Sequence, residues 1–376
     1  MKIGTINPSK LAENLTKRIE EDIAAQRVGC AAVAVSQWGK LLFRGDFGAQ
    51  TPGEPQPLRP DAIFRIASMT KPITAVAALI QVERGKLSLE DPVCKYLPQY
   101  EKLVVGEARR PCDAPLRVFH LLTHTSGMEA DLEAKLWVKA IPPERQRTLK
   151  DAMDVYPERP LAFQPGQQRK YSGRAAFDIL ARIVEITADM DFGEFVKKEI
   201  LDPCGMVDTT FAPTEEQWAR VVGMHDYQDG VGVLSPTTPG CVVDRVPVTH
   251  PLGGAGLVST VDDYVKFAQM LLNKGMTEKG RIIDASFIEQ MATPQLATEL
   301  MNEKVNQGLG VRVIAGEKYP WLPVGSYGWS GAYGPHFWVD PINGITAVYM
   351  KNSRYDGGSG SLSGKHFEED VCNAIE

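Results

Sequence analysis

Ser68 and Lys71 lie three residues apart in the segment 64–72 (FRIASMTKP), directly before the apolar run 73–80. Pro72 lacks a backbone N–H and is favourable only in the first turn of a helix, so a helix must begin close to Ser68. Residues three apart share a helix face, so the hydroxyl and the amine can meet. An amine that takes the hydroxyl proton activates a serine, and a helix N-terminus favours a developing oxyanion. The pair therefore predicts nucleophilic chemistry, although Ser-x-x-Lys alone is a short pattern that also arises by chance.

Two further stretches combine glycine with aromatic residues. In 163–173 (FQPGQQRKYSG), a Pro-Gly turn is followed by Tyr171 and then by a helical apolar pattern that begins at Ala175. Tyr171 can be a half-buried residue that packs the chain before this helix, or it can contribute its hydroxyl to a functional site. In 328–334 (GWSGAYG), glycines among strand residues indicate close approach of the backbone to a ligand or to another strand.

These residues, in this order and spacing, resemble the serine β-lactamase and penicillin-binding-protein superfamily, including its family VIII carboxylesterases. The segment 68–71 (SMTK) is similar to the family's Ser-x-x-Lys, and 171–173 (YSG) stands where the family carries Tyr-x-Asn. The segment 329–331 (WSG) stands where penicillin-recognising members carry Lys-Thr-Gly or His-Thr-Gly. Two supporting stretches, 120–127 (HLLTHTSG) and 253–260 (GGAGLVST), are typical of the family, so the resemblance covers most of the chain.

The resemblance implies a serine hydrolase with a two-step mechanism. Ser68 attacks an ester carbonyl to form an acyl-enzyme, which water hydrolyses. Lys71 and Tyr171 share the proton transfer, and either can be the immediate base. The backbone N–H groups of Ser68 and Ala332 form the oxyanion hole. The resemblance implies no cofactor and no metal.

The substrate is expected to contact Gly173, Trp329, Ser330 and Gly331, and two of these residues depart from the penicillin-recognising pattern. Trp329 replaces the cation or His that lies near a substrate carboxylate, and Gly173 replaces the Asn that holds a substrate amide. Losing both anchors weakens recognition of β-lactams and peptides, whereas an ester needs neither. Many family VIII esterases also carry Trp at the third motif. We therefore expect a carboxylesterase that acts on small-molecule esters.

Other functions on the same fold stay open. They are a weak β-lactamase, a D-alanyl peptidase and an acyltransferase that passes the acyl group to an alcohol. A catalytically silent binding protein is the alternative outside enzymes, and it would not require Ser68, Lys71 and Tyr171 together.

Two unrelated kinds of enzyme, a zinc protease and an α/β-hydrolase, are disfavoured because the sequence lacks residues that their motifs require. His120 and His124 have the i, i+4 spacing of a zinc pair, but position 121 is Leu instead of the Glu of His-Glu-x-x-His, and no third ligand follows. A structural role at a helix end is expected for both. No Gly-x-Ser-x-Gly nucleophile elbow of an α/β-hydrolase occurs in the chain.

The elements that must position these residues come from both ends of the chain. Apolar periodicity predicts a first helix through Leu11, Leu15, Ile19 and Ile23, strands at 31–35 and 41–43 joined around 38–40, and helices at 261–273 and 366–375. The pattern predicts an α/β lobe from residues 1–85 and 252–376, with a mainly helical lobe at 86–251. The resemblance implies the α+β, β-lactamase/transpeptidase-like fold: an antiparallel sheet flanked by helices with an inserted helical lobe.

Composition narrows the partners and the compartment. The 376 residues carry a net charge of −6 and 23% charged residues of mixed sign, so charge gives no reason to bind nucleic acid or an anionic membrane. The apolar runs fall short of the ~18 residues that span a bilayer. The first residues, MKIGTINP, contain no secretory hydrophobic stretch, and we expect a cytoplasmic protein.

Overall fold

The computed structural model describes residues 4–51, 54–228, 231–234, 250–353, 356 and 360–376. Its α-helices are α1 (Pro8–Ala24), α2 (Thr70–Glu83), α3 (Val118–Leu122), α4 (Leu132–Ala140), α5 (Leu149–Val155), α6 (Ala175–Ala188), α7 (Phe192–Val196), α8 (Asp202–Cys204), α9 (Glu215–Trp218), α10 (Val261–Leu272), α11 (Ala285–Met291) and α12 (Leu362–Asn373). Its β-strands are β1 (Cys30–Gln37), β2 (Lys40–Gly48), β3 (Phe64–Arg65), β4 (Val104–Val105), β5 (Arg110–Pro111), β6 (His225–Gln228), β7 (Val231–Leu234), β8 (Val258–Ser259), β9 (Met276–Thr277), β10 (Gly280–Arg281), β11 (Val305–Gln307), β12 (Arg312–Ile314), β13 (Tyr327–Ser330), β14 (His336–Asp340) and β15 (Ile345–Met350).

Seven strands form one antiparallel sheet in the order β11-β12-β13-β14-β15-β1-β2. The hairpin near the N-terminus therefore pairs with the last strand, with Ala32 opposite Met350 and Ala34 opposite Val348. Two residues with positive φ, Trp38 (50°) and Gly39 (78°), make the tight turn between β1 and β2, as the sequence predicts. The sheet confirms the predicted α+β, β-lactamase/transpeptidase-like fold.

Helices cover both faces of this sheet. Alternate residues of β1 enter two cores, because successive side chains of a strand point to opposite faces. Ala31, Val33 and Val35 pack with α1 and α12 on one face. Ala32 and Ala34 belong to the second core, which also contains residues of α2, α6 and α10.

Helix α2 is buried over nearly its whole length, from Thr70 to Gln81. Its sequence is apolar all round, as expected of a helix packed on every side. It contacts α6, and residues 67–69, directly before it, contact β13. The start of α2, where Ser68 lies, is therefore near the junction between the sheet and the helices that follow it in the chain.

The predicted elements hold with one correction. The first helix, the β1–β2 hairpin and α10 are confirmed. The last helix, predicted at roughly 366–375, is present, but it begins earlier and spans Leu362–Asn373. Ser361 caps it by accepting a hydrogen bond from the Gly364 N–H at 3.2 Å, and Ile375 leaves the helix to pair with Ile6. The division into lobes at residues 86 and 252 stays a prediction. Among the described residues, no helix is both long enough and apolar enough to cross a membrane.

Candidate active site

Ser68 lies in a single 3-10 turn, Ala67–Met69, that leads directly into α2. The residue before it, Ala67, has a φ of 44°, a left-handed conformation that costs a non-glycine residue free energy. Tyr264 of α10 stabilises this turn, because its hydroxyl donates a hydrogen bond to the Met69 carbonyl at 2.7 Å. Ser68 is 8% exposed, so little of the residue is accessible to solvent.

Lys71 is fully buried one turn into the helix and is held by backbone carbonyls. Its Nζ donates to the carbonyls of Gly173 at 2.6 Å and Gly254 at 2.7 Å, and it lies 3.3 Å from Ser68 Oγ. No carboxylate of the described residues forms an ion pair with it. Two N–H groups of Lys71 are thus used by carbonyls, and the third position on Nζ faces Ser68. A charged lysine would place an N–H at this position, and a neutral lysine would place its lone pair there.

Tyr171 provides the shortest contact to the serine. Its hydroxyl donates to Ser68 Oγ at 2.6 Å. The ring lies within 5.1 Å of Lys71 Nζ, so the three predicted catalytic side chains meet at one point. The segment before it is anchored by a bond from the Lys170 N–H to the His124 carbonyl at 3.0 Å.

Glu129 holds the chain between Tyr171 and α6. Its Oε2 accepts hydrogen bonds from the N–H groups of Arg174 at 2.7 Å and Ala175 at 3.0 Å, and from the Ser172 hydroxyl at 3.1 Å. A carboxylate at this point accepts hydrogen bonds from backbone N–H groups that have no partner within helix α6, and its negative charge is favourable at the positive end of the helix dipole. Gly173, predicted to contact substrate, contributes its carbonyl to Lys71, and a Cβ there would lie 3.1 Å from Glu129 Oε1.

The third predicted motif forms the end of β13. Trp329 is 9% exposed and lies against the ring of Tyr171, with centroids 6.1 Å apart. A Cβ at Gly331 would lie 2.4 Å from the Ile66 carbonyl, so only glycine lets this strand end approach the residues that lead to Ser68. Ser330 Oγ is hydrogen-bonded to His336 Nδ1 at 2.8 Å.

The two histidines considered as a zinc pair do not share a helix. Helix α3 ends at Leu122, and His124 follows in a left-handed conformation with a φ of 57°. The His124 ring is buried and stacks on Trp329, with centroids 5.7 Å apart and planes 14° apart. Burial, and then the charges of Arg169 and Lys71, hold the pKa of His124 well below its ordinary value. His124 is therefore a neutral packing partner of Tyr171 and Trp329.

The described residues contain no group of three or more His, Cys, Asp or Glu side chains arranged to share a metal ion. Two supporting residues that the sequence did not single out are Glu129 and Tyr264. Glu129 follows the family-like segment 120–127, which was a usable signal, whereas nothing in the sequence links Tyr264 to Met69.

A serine at the start of a buried helix, beside a lysine one turn later and a tyrosine from a loop, defines the class of serine acyl-transfer enzymes with the β-lactamase fold. The chain belongs to the beta-lactamase family, whose model matches residues 15–363. It is 30% identical over 361 residues to an uncharacterized protein of Mycobacterium tuberculosis, covering 88% of each chain. It is 28% identical over 383 residues to esterase EstB of Burkholderia gladioli, covering 96% of this chain and 95% of the relative.

A solved structure shares the fold over nearly the whole chain. EstCE1, described as a hydrolase with promiscuous acyltransferase activity, superposes with a TM-score of 0.82 at 21% identity and covers 98% of each chain. At this level of identity the likeness concerns the fold.

Proposed function

We propose that this protein is a serine hydrolase that cleaves small carboxylic esters through an acyl-enzyme on Ser68. The observation that carries the proposal is the contact of two proton-transfer groups with one serine oxygen: Tyr171 at 2.6 Å and Lys71 at 3.3 Å. The likeness to esterase EstB, at 28% identity over almost the whole length of both chains, supports ester hydrolysis over the other reactions of the family.

In the proposed reaction, Ser68 Oγ forms a bond to the ester carbonyl carbon while its proton passes to Tyr171 or Lys71. The tetrahedral intermediate collapses, the carbon–oxygen bond to the alcohol breaks, and the alcohol leaves with that proton. Water then attacks the acyl-enzyme, and the same groups return a proton to Ser68 as the acid leaves.

We assign the oxyanion hole to the backbone N–H groups of Ser68 and Ala332. Neither N–H donates a hydrogen bond to another described residue. The close approach of Gly331 to the Ile66 carbonyl brings the chain that carries Ala332 beside the turn that carries Ser68. Two unengaged N–H groups at such a point favour a developing oxygen charge.

The substrate residues proposed from the sequence fit an ester better than a β-lactam. Trp329 presents an apolar face beside Tyr171, and Gly173 uses its carbonyl for Lys71 and has no side chain to hold a substrate amide. Ester hydrolysis needs a bound acyl group and an oxyanion hole, which an apolar wall and two N–H groups can supply. We include the cytoplasmic location in this proposal, to be checked by cell fractionation.

Labelling and substitution of Ser68 test the proposal together. A fluorophosphonate probe is expected to label Ser68, and mass spectrometry of a trapped acyl-enzyme is expected to place the acyl group there. Ser68→Ala should lower kcat on p-nitrophenyl esters by roughly 10³-fold or more, as loss of a nucleophile does.

The matched control is Ser36→Ala. Ser36 is a buried serine of β1 whose hydroxyl has no hydrogen-bond partner among the described residues, so its loss should leave turnover unchanged. Acylation of another residue, or full turnover in Ser68→Ala, would refute the proposal. Adding an alcohol acceptor and measuring the new ester separates an acyltransferase from a hydrolase.

A further inference from the structure

A cavity of about 410 Å³ lies beside Trp329 and Ser330. Its walls come from β11, β12, the end of β13 and the start of α12, together with Arg169 from the loop before Tyr171. Trp329 thus faces this cavity and also lies against Tyr171, whose hydroxyl contacts Ser68. A substrate bound at Ser68 would therefore lie next to this cavity.

Arg169 is a half-buried cation in this cavity without a carboxylate partner among the described residues. Its Nη2 donates to Gln307 Oε1 at 2.9 Å, while its Nε is buried with no acceptor. Gln307 is fixed in turn, because its Nε2 donates to the carbonyls of Gly308 and Val311. Arg169 Nη1 donates to no described residue and is not buried, so an anion in the cavity can accept from it and offset the cost of the half-buried charge.

The charges around the cavity leave this cation uncompensated. Among the described residues that line it, the one carboxylate is Glu368. Glu368 already accepts hydrogen bonds from Arg312 at 2.7 Å and Tyr319 at 2.6 Å, and it contacts His336 at 3.0 Å. The charge of Glu368 is therefore matched by Arg312, and the charge of Arg169 has no counterpart.

We propose that this cavity binds a carboxylate carried by the ester substrate, with Arg169 as its charged partner. The inference rests on the proposed function and defines its substrate class. A guanidinium presents paired N–H groups that suit a carboxylate.

The carboxylate can belong to the acyl part or to the alcohol part of the ester, and two matched substrate pairs distinguish them. The acyl pair is mono-4-nitrophenyl adipate and its methyl ester. The alcohol pair is 3-carboxyphenyl butyrate and its methyl ester. In one of the two pairs, kcat/KM for the carboxylate is expected to exceed that for the methyl ester by about 10-fold or more.

Arg169→Gln should abolish this preference by lowering kcat/KM for the carboxylate roughly 10- to 100-fold, while the neutral esters keep their rates within about 3-fold. Arg169→Lys should retain part of the preference. The matched control is Lys170→Gln, which removes the same charge from the adjacent exposed residue, outside the cavity lining, and should change neither ratio.

Each outcome has one meaning. Hydrolysis of the neutral esters with no preference for either carboxylate, or a preference that survives Arg169→Gln, overturns this inference and leaves the proposed function intact. Failure of all four esters refutes the proposed function instead. If Arg169→Gln does not fold, Arg169→Lys decides: it keeps the charge but loses the paired N–H groups, so it should lower the preference several-fold, and an unchanged preference overturns the inference.

Discussion

The Tyr171 hydroxyl lies 2.6 Å from Ser68 Oγ, whereas Lys71 Nζ lies 3.3 Å from the same oxygen. Lys71 Nζ also donates hydrogen bonds to the carbonyls of Gly173 and Gly254. The Tyr171 hydroxyl contacts the serine oxygen. The Tyr171 hydroxyl is thus the nearer of the two groups to the serine oxygen, and Lys71 lies beside both, so either group is placed to take part in the proton transfer. A proton that leaves the serine can move within this cluster without crossing solvent.

Lys71 and Tyr171 should therefore behave as one proton-transfer unit. Lys71→Ala and Tyr171→Phe should each lower kcat on p-nitrophenyl esters by roughly 10²- to 10⁴-fold. Because each group needs the other, the double variant should lose far less than the product of the two single losses. The measurement is a double-mutant cycle in kcat. Losses that multiply strictly would mean that the two residues act independently.

Glu129 should position Tyr171 as well as stabilise the fold. Its carboxylate bonds two helix N–H groups and the Ser172 hydroxyl next to Tyr171. Glu129→Ala should lower the free energy of unfolding by about 1–3 kcal/mol, measured by urea denaturation. It should also lower kcat about tenfold, because small displacements of a catalytic group are costly.

Two further variants separate these roles of Glu129. Glu129→Gln keeps an acceptor oxygen and should recover part of both losses. Glu278→Ala, at an exposed site, should change neither quantity. A drop in stability with kcat unchanged in Glu129→Ala would leave Glu129 a purely structural residue.

Glu368 should make the protein sensitive to acid. Burial alone would raise the pKa of Glu368, but the hydrogen bond and charge of His336, together with Arg312 and Tyr319, outweigh it and lower the pKa to about 2. A carboxyl whose folded pKa lies below its unfolded value of 4.5 stabilises the fold above that value and loses this contribution as the pH falls towards 2. The shift corresponds to about 3 kcal/mol.

Urea unfolding at several pH values between ~5 and ~2.5 tests this linkage. In Glu368→Gln, the fall in stability over this range should be smaller than in the unmodified protein, and the two proteins should converge at low pH. Glu369→Gln, at the neighbouring half-exposed residue, should keep the original acid dependence. Parallel curves for Glu368→Gln and the unmodified protein would show that another group controls the acid response.

The parts of the fold that the sequence could predict rest on short-range patterns. Helix α2 follows from Pro72 and the apolar run after it, and the β1–β2 hairpin follows from Trp38 and Gly39. The start of α12 was misplaced because Gly364 is a weak helix former, and the Ser361 cap that outweighs it acts through a contact visible in the structure.

The supporting residues of the site depend on contacts between distant parts of the chain. Glu129 bonds a residue 45 positions later, and Arg169 bonds one 138 positions later. No periodicity links such pairs, so a single sequence cannot give them. The motif residues were predictable because the family resemblance supplied the long-range order of Ser68, Tyr171 and Trp329.

The selectivity for esters should follow from the residues at the second and third motifs. A β-lactam such as nitrocefin carries its carboxylate rigidly on the ring, at the point where the resemblance places the motif cation, and Trp329 occupies that position. A flexible ester chain can instead reach Arg169, which comes from another segment. The amide anchor is also missing at Gly173. We expect kcat/KM on short p-nitrophenyl esters to exceed that on nitrocefin by roughly 10²-fold, or about 2.7 kcal/mol of transition-state preference.

Replacing Trp329 tests this explanation. Trp329→His keeps an aromatic ring against His124 and adds a polar group, so it should narrow the gap mainly by improving turnover of nitrocefin. Trp329→Lys should narrow it less, because its charge would lie beside the buried ring of His124. Trp329→Phe, which keeps an apolar ring, is the control and should leave the ratio unchanged. Equal turnover of esters and nitrocefin by the unmodified protein, or a ratio that no Trp329 variant alters, would mean that other residues set the substrate class.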